Sequence, residues 1–262
     1  MIDLRNIRHR FAESDWELVV PRLPVPEGDV LAIIGPNGSG KTTLLRIASG
    51  LLRPLEGAVR LQGMDIARMS RRAIAQDLGY LPQEPSSEYD LRVEELAAMG
   101  RYPHIGGWGR LSSADRRAVD RSLELTGMAG LRSRKLSKLS GGEKKRAFLA
   151  SVLAQQPRFL LLDEPTAALD LPHQIRFFRL LHDLAQEGMG VAVVTHDVNL
   201  ASLYSDRLLL LSAGESLALG PPHQVLTERT VSDVYGPDVI LYRHQECGRP
   251  ILIPRTAGEE SP

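Results

Sequence analysis

The chain has 262 residues, 43% hydrophobic and 24% charged, enough apolar content for a sizeable core and too much for a wholly disordered or fibrous protein. Its 32 Lys and Arg balance 32 Asp and Glu, so no global charge selects nucleic acid or anionic lipid as a partner. The single cysteine, Cys247, excludes an internal disulfide and a cysteine-clustered metal site and reads as an incidental thiol.

Residues 1–10 lack an apolar core of the secretory kind, and no apolar run approaches the ~18 residues that span a bilayer, so the expected location is the cytosol. Residues 2–7 and 17–20 read as short strands leading through the turn Pro26-Glu27-Gly28-Asp29 into 30–34, an unbroken apolar run of strand length. Gly35-Pro36-Asn37-Gly38-Ser39-Gly40-Lys41-Thr42-Thr43 follows, and then a helical stretch without a breaker until Gly50. Strand, G-x-x-x-x-G-K-T, helix is the pattern of a phosphate-binding loop. Its glycines let successive N–H groups converge on one point, and the helix adds its partial positive N-terminus. Lys41 is expected to reach the β- and γ-phosphates, the Thr42 hydroxyl to ligate Mg²⁺, and Thr43 to extend the helix-start donors. Phe11, some thirty residues before Lys41, is the predicted platform for an adenine ring.

Downstream, 58–61 reads as a strand, and 78–83 as another that stops at Pro82 with Gln83 at its tip. From about 87 to 156 the pattern turns helical, with helices expected near 93–100 and 118–127 and a break over Arg101 to Gly109, which suggests a helical insert in an α/β domain. Arg132-Ser133-Arg134-Lys135 reads as a solvated face. Ser140-Gly141-Gly142 opens a helical stretch and forms a second anion-binding cap.

Residues 158–165 form a buried parallel strand ending in Asp163 and Glu164, at the end where open α/β sheets place their ligands. Asp163 is expected to hold Mg²⁺ and Glu164 to polarise the water that attacks the γ-phosphate. Pro172 starts a helix with Ile175, Phe178, Leu181 and Ala185 on one face, ending at Gly188. The strand 191–195 ends at His196, whose imidazole can bond a γ-phosphate oxygen. Residues 207–211 and 216–219 read as a hairpin around Gly214. Beyond Asp238 no pattern emerges, and 256–262 reads as a frayed end. The expected division is 1–238 with its insert, then an extension over 239–262.

Taken in order, these segments resemble the ATP-binding subunit of an ABC transporter over nearly the whole chain. Residues 35–43 resemble its Walker A motif, Gln83 its Q-loop, Leu139 to Glu143 its LSGGQ signature, Phe159 to Glu164 its Walker B motif, Ala168-Leu169-Asp170 its D-loop, and His196 its switch histidine. The signature departs in carrying Glu143 where glutamine is usual. The resemblance implies a P-loop NTPase core with a mainly parallel sheet, an N-terminal antiparallel β subdomain and an inserted helical subdomain.

It further implies ATP and Mg²⁺, with Gln83 joining Thr42 and Asp163 around the metal. Two copies are implied to meet head to tail, so that Ser140, Gly141, Gly142 and Glu143 of one close over the ATP on the loop of the other. Glu164, His196, Lys41, Gln83 and, across the interface, Asp170 are implied to carry hydrolysis. Segments such as Val93-Glu94-Glu95-Leu96, Gly100-Arg101-Tyr102-Pro103-His104, Leu171-Pro172-His173-Gln174, His196-Asp197-Val198-Asn199-Leu200-Ala201, Gly220-Pro221-Pro222 and Val234-Tyr235-Gly236 are similar to iron-siderophore, haem and vitamin B12 importer ATPases. The implied partners are a membrane permease, reached through the helical insert and Gln83, and indirectly an extracytoplasmic binding protein. The implied place is the cytoplasmic face of the membrane, with no nucleic acid. A soluble ABC ATPase of assembly or repair, without a permease, is the competing expectation, and a non-hydrolysing sensor would usually lack the Glu164 equivalent.

Overall fold

Unbroken apolar runs in the sequence become strands buried on both faces. The computed structural model describes residues 1–11, 15–87, 89–105, 109–167 and 169–255. Gly106, Gly107, Trp108, Ala168 and the 256–262 tail therefore lie outside the described residues. The elements run β1 (Ile2–Arg10), β2 (Glu17–Val25), β3 (Val30–Ile34), α1 (Lys41–Ala48), β4 (Glu56–Leu61), β5 (Met64–Asp65), α2 (Arg71–Asp77) and β6 (Leu78–Leu81). Then come α3 (Val93–Met99), α4 (Ser113–Leu125), α5 (Gly141–Ala154), β7 (Phe159–Asp163), α6 (Leu171–Gln186), β8 (Gly190–Val194) and α7 (Val198–Tyr204). The chain closes with β9 (Arg207–Ser212), β10 (Glu215–Gly220), α8 (Pro222–Val225), α9 (Glu228–Tyr235), β11 (Val239–Arg243) and β12 (Pro250–Pro254).

Ten strands form one sheet in the order β5-β4-β1-β2-β10-β9-β3-β8-β7-β6, and β11 pairs with β12 in a separate hairpin. From β9 through β6 every pairing is parallel, while β4, β1 and β2 pair antiparallel. The two halves are continuous, because β10 is antiparallel to β9 and meets β2 in parallel at Glu215 and Val19. The predicted α/β architecture, with a parallel core and an antiparallel N-terminal part, is thus present as one mixed sheet.

Alternation within the parallel strands sorts side chains onto two faces. Leu31, Ile33, Phe159, Leu161, Ala192 and Val194 face a core shared with α1 and the antiparallel strands. Val30, Ala32, Ile34, Leu160, Leu162, Val191 and Val193 face α6 and the C-terminal elements. A third apolar cluster lies among α3, α4 and α5, built on Val93, Leu96, Ala97, Val119, Leu123 and Ala147. There the Arg101 guanidinium donates to buried Asp115 at 2.8 Å and to the Ala154 carbonyl at 2.7 Å, tying all three helices. The Ser112 hydroxyl and N–H, and then the Arg101 contact, hold the Asp115 carboxyl down at about 2.

Some elements run past their expected ends. β1 continues to Arg10, and β2 runs through Pro21 and Pro24 to Val25. Proline is tolerated there because β2 meets β10 only near Val19, leaving the far side of its second half free of ladder bonds. The β9–β10 hairpin forms as expected, turning on Ala213 and Gly214 with φ of 48° and 87°. At Gly214 an added Cβ would lie 1.9 Å from the Glu17 carbonyl oxygen, so only glycine lets this turn reach β2. The helices α2, α7, α8 and α9 and the β11–β12 hairpin are elements that the sequence pattern does not announce.

Candidate active site

The glycine loop leaves the carboxyl end of β3 and enters α1 at Gly40, whose φ of 101° places the N-cap in the left-handed region. Gly35 has φ of 142°, and a Cβ there would lie 1.9 Å from the Leu211 carbonyl oxygen, so the loop can cross the end of β9 only as glycine. Lys41 is buried and folded back over the loop, donating from Nζ to the carbonyls of Gly35 and Pro36, each at 2.8 Å. Burial pushes its ammonium pKa down, and the nearby Glu164 and Asp163 charges oppose that shift.

β7 lies two strands from β3 and delivers Asp163 and Glu164 beside the loop. Thr42 Oγ1 donates to Asp163 Oδ1 at 3.0 Å, although 121 residues separate them. Burial raises the Asp163 pKa, partly offset by the Thr42 bond. A hydroxyl and a carboxylate side by side, next to a phosphate loop, are the hard oxygen donors that suit Mg²⁺, which takes one or two protein oxygens and fills its shell from phosphates and water. Among the described residues no group of three or more His, Cys, Asp or Glu could hold a metal without such help.

Immediately after β7 the backbone turns: Glu164 has φ of 46°, and its N–H donates to the Val194 carbonyl of β8 at 3.1 Å. Its buried carboxylate is gripped from two sides. Gln83 Nε2, just beyond β6, donates to Oε2 at 2.7 Å, and His196, just beyond β8, bonds Oε1. Gln83 thus reaches the site through Glu164, with no bond to Thr42 or Asp163. Lys145 of α5 also donates from Nζ to the Glu164 carbonyl at 3.1 Å, a contact the sequence pattern did not suggest.

A cavity of about 260 Å³ opens over the loop, lined by Asn37, Gly38, Gly40, Lys41, Thr42, Thr43 and Glu164 on one side and by Phe11 and Trp16 on the other. Phe11 is exposed and stacks on Trp16, ring centroids 6.2 Å apart. Trp16 is half-buried against the core and crowds Gly40, where a Cβ would lie 2.7 Å from its ring. Two stacked rings, Phe11 and Trp16, thus line the cavity, where the sequence alone suggested Phe11. Phe11→Ala is expected to weaken nucleotide binding by about 1 kcal/mol or more with little change in melting temperature. Trp16→Ala is expected to lower both, and isothermal titration with thermal melts separates the two outcomes.

Ser140 to Glu143 and Asp170 do not line this cavity. Ser140 caps α5 by accepting the Glu143 N–H at 3.3 Å, and the Glu143 carboxylate accepts the Ser140 N–H at 2.8 Å, which holds its pKa down. That reciprocal cap works with glutamate as well as with glutamine, so the departure at Glu143 preserves the helix start. Gly142 sits against the D-loop: a Cβ on it would lie 2.9 Å from the Leu169 side chain. Asp170 caps α6, bonding the His173 N–H and ring, which lowers its pKa. Within one chain the fold brings Lys41, Thr42, Gln83, Asp163, Glu164 and His196 together, and puts the signature cap beside the D-loop, outside the lining of the cavity over the loop.

The ABC transporter family matches residues 21–167. The petrobactin import ATP-binding protein of Bacillus anthracis is 41% identical over 256 residues, covering 97% of this chain and 93% of that one. The hemin import ATP-binding protein of Pseudomonas entomophila is 41% identical, covering 97% of this chain and all of its own. Among solved structures, an inward-facing ABC transporter described as of metal-chelate type matches with a TM-score of 0.84 at 27% identity, covering 98% of each chain. A dimeric ATP-binding cassette in a post-hydrolysis state, bound to ADP and Pi, matches with a TM-score of 0.74 at 28% identity, covering 84% of this chain and 98% of that one. The loop, the strand-end carboxylates and these matches agree: the chain belongs to the ABC transporter family, as one of its ATP-hydrolysing subunits.

Proposed function

We propose that this chain powers uptake of an iron-siderophore, haem or related metal-chelate cargo, corrinoids included, through a separate membrane permease. The observation that carries the two-copy part of this reading is the separation of the two anion-binding helix starts. The loop at 35–43 has Asp163 and Glu164 beside it, with His196 on Glu164, while the cap at Ser140 to Gly142 lies beside Leu169 and does not line the cavity over the loop. A head-to-tail second copy brings that cap, with Asp170, over the loop, so each ATP site is complete only in the dimer, and closure excludes water.

In that site Glu164 takes the proton of the attacking water, and Gln83 and His196 hold its carboxylate in place. On ATP binding His196 exchanges Glu164 for a γ-phosphate oxygen. Lys41 leaves the carbonyls of Gly35 and Pro36 to meet the phosphates. Thr42 and Asp163 are the residues that would hold Mg²⁺, which would supply charge to offset that of the phosphates. The helical unit over about 87–156 and Gln83 face the permease, and 239–262 is an extension to the 1–238 ATPase unit. The import relatives support this direction of transport, and the metal-chelate type of the transporter structure supports the cargo class. No helix among the described residues is long and apolar enough to cross a membrane, consistent with a peripheral subunit held at the cytoplasmic face by its permease.

The test is retrieval of the tagged chain from solubilised host membranes. Co-purification of a polytopic permease, with cargo uptake that fails in an ATPase-dead variant, is the expected result. A chain that stays in the soluble fraction with no membrane partner supports a permease-free assembly or repair ATPase instead.

A further inference from the structure

Asn199, in the segment that follows His196, has no part in the chemistry above, yet its side chain is fully committed. Its Nδ2 donates to the Leu252 carbonyl at 3.0 Å, and its Oδ1 accepts the Leu252 N–H at 2.7 Å. One amide thus pairs with both main-chain groups of a β12 residue, as a neighbouring strand would. Farther along α7, buried Ser202 donates to the Pro250 carbonyl at 2.5 Å. Arg249 donates to the carbonyls of Ser202 and Ser205, each at 2.7 Å, satisfying groups that the end of α7 leaves without helical partners.

α7 has seven residues, too few to hold a helix or its placement unaided. Leu200 and Ala201 bury it against the sheet, but apolar contact is non-directional and sets depth better than rotation. Directional bonds fix the rest, and on the polar side of α7 they run to the β11–β12 hairpin. At its other end, Asp197 caps α7 by accepting the Leu200 N–H at 2.8 Å, so His196 is carried on the turn that enters this helix. The hairpin also walls a cavity of about 660 Å³: Glu164 and His196 line one side, and Val239, Leu252, Ile253 and Pro254 the other.

We propose that the C-terminal hairpin over 239–254 is a brace that sets His196 against Glu164, and that Asn199 is the positioning residue through which it acts. The proposal rests on the reading of Glu164 and His196 given above. It supplies a role for a segment whose sequence carries no pattern, and for an asparagine that touches neither loop nor carboxylates.

The experiment uses the full-length chain. Asn199→Ala removes both Leu252 bonds, and Asn199→Asp keeps the acceptor while losing the donor. Asn199→Ala is expected to lower kcat about tenfold at unchanged KM for ATP, with Asn199→Asp between it and the parent, as for a catalytic group displaced by less than 1 Å. In a His196→Ala background Asn199→Ala is expected to cost nothing more, because the effect runs through His196. An equal loss in both backgrounds, or parental kcat in Asn199→Ala, overturns the brace. Parental turnover in His196→Ala refutes the reading of His196 itself, and the brace with it. Should Asn199→Ala fold poorly, Asn199→Asp is followed by NMR of the seven histidines. The imidazole resonance that disappears in His196→Ala is expected to shift alone, and a shift of all of them or of none overturns the proposal.

Discussion

Glu164→Gln is expected to cut ATP turnover at least ~10²-fold, the low end for loss of a general base, while ATP binding stays near the parental level. The reason is local. The Glu164 carboxylate is buried and holds Gln83 on one oxygen and His196 on the other. Glutamine has the same shape and can still accept from Gln83, so the phosphate loop is undisturbed, but an amide takes no proton from water. With hydrolysis blocked, ATP should hold two copies together, visible as a nucleotide-dependent dimer in size-exclusion chromatography with light scattering. Unchanged turnover would remove Glu164 from the mechanism. Slow turnover without a trapped dimer would leave the acid in place and count against the two-copy site.

Lys41→Ala is expected to act one step earlier, weakening nucleotide binding by about 1.5–3 kcal/mol, the range for hydrogen bonds to a charged group. Lys41 is the buried cation between the loop and the Asp163–Glu164 pair, and its Nζ now satisfies the carbonyls of Gly35 and Pro36. Removing it takes a donor from the phosphates and leaves two neighbouring carboxylates with less opposing charge. Titration of a fluorescent ATP analogue measures the loss, and parental affinity would refute the assignment. Together the two variants separate binding from chemistry: Lys41→Ala should lose both, Glu164→Gln only the second.

Residues whose work is local were legible in the chain. The loop needs glycines at 35, 38 and 40 because the backbone there takes positive φ, and the strand before it and the helix after it are neighbours in sequence. Asp163 and Glu164 were readable because they end an apolar run, and such a run has nowhere to go but a parallel sheet. Gln83 was harder: it sits at a strand end with nothing local to mark it, and only the family pattern raised it, whereas His196 was readable in the same way as the acids, at the end of the apolar run 191–195. Their common contact with Glu164 spans 81 and 32 residues of chain.

Trp16 was passed over for Phe11 because stacking and contact with Gly40 are tertiary facts. Lys145 is one cation in the run Lys144-Lys145-Arg146, and only tertiary packing brings its Nζ to the Glu164 carbonyl. The C-terminal hairpin escaped for a different reason. Its strands are short and half-exposed, without the alternation that marks a sheet with one wet face, and they are held by side chains of α7 that lie some fifty residues earlier.

By itself, then, the sequence determined the chemistry of the phosphate site and the family, since both are encoded in residue type at fixed spacing along continuous backbone. Tertiary structure decided which groups share a carboxylate, which rings stack beside the loop and what the signature cap packs against, because those depend on how distant segments line up. The strand order β3-β8-β7-β6 is what turns a loop lysine, two acids, a glutamine and a histidine into one site.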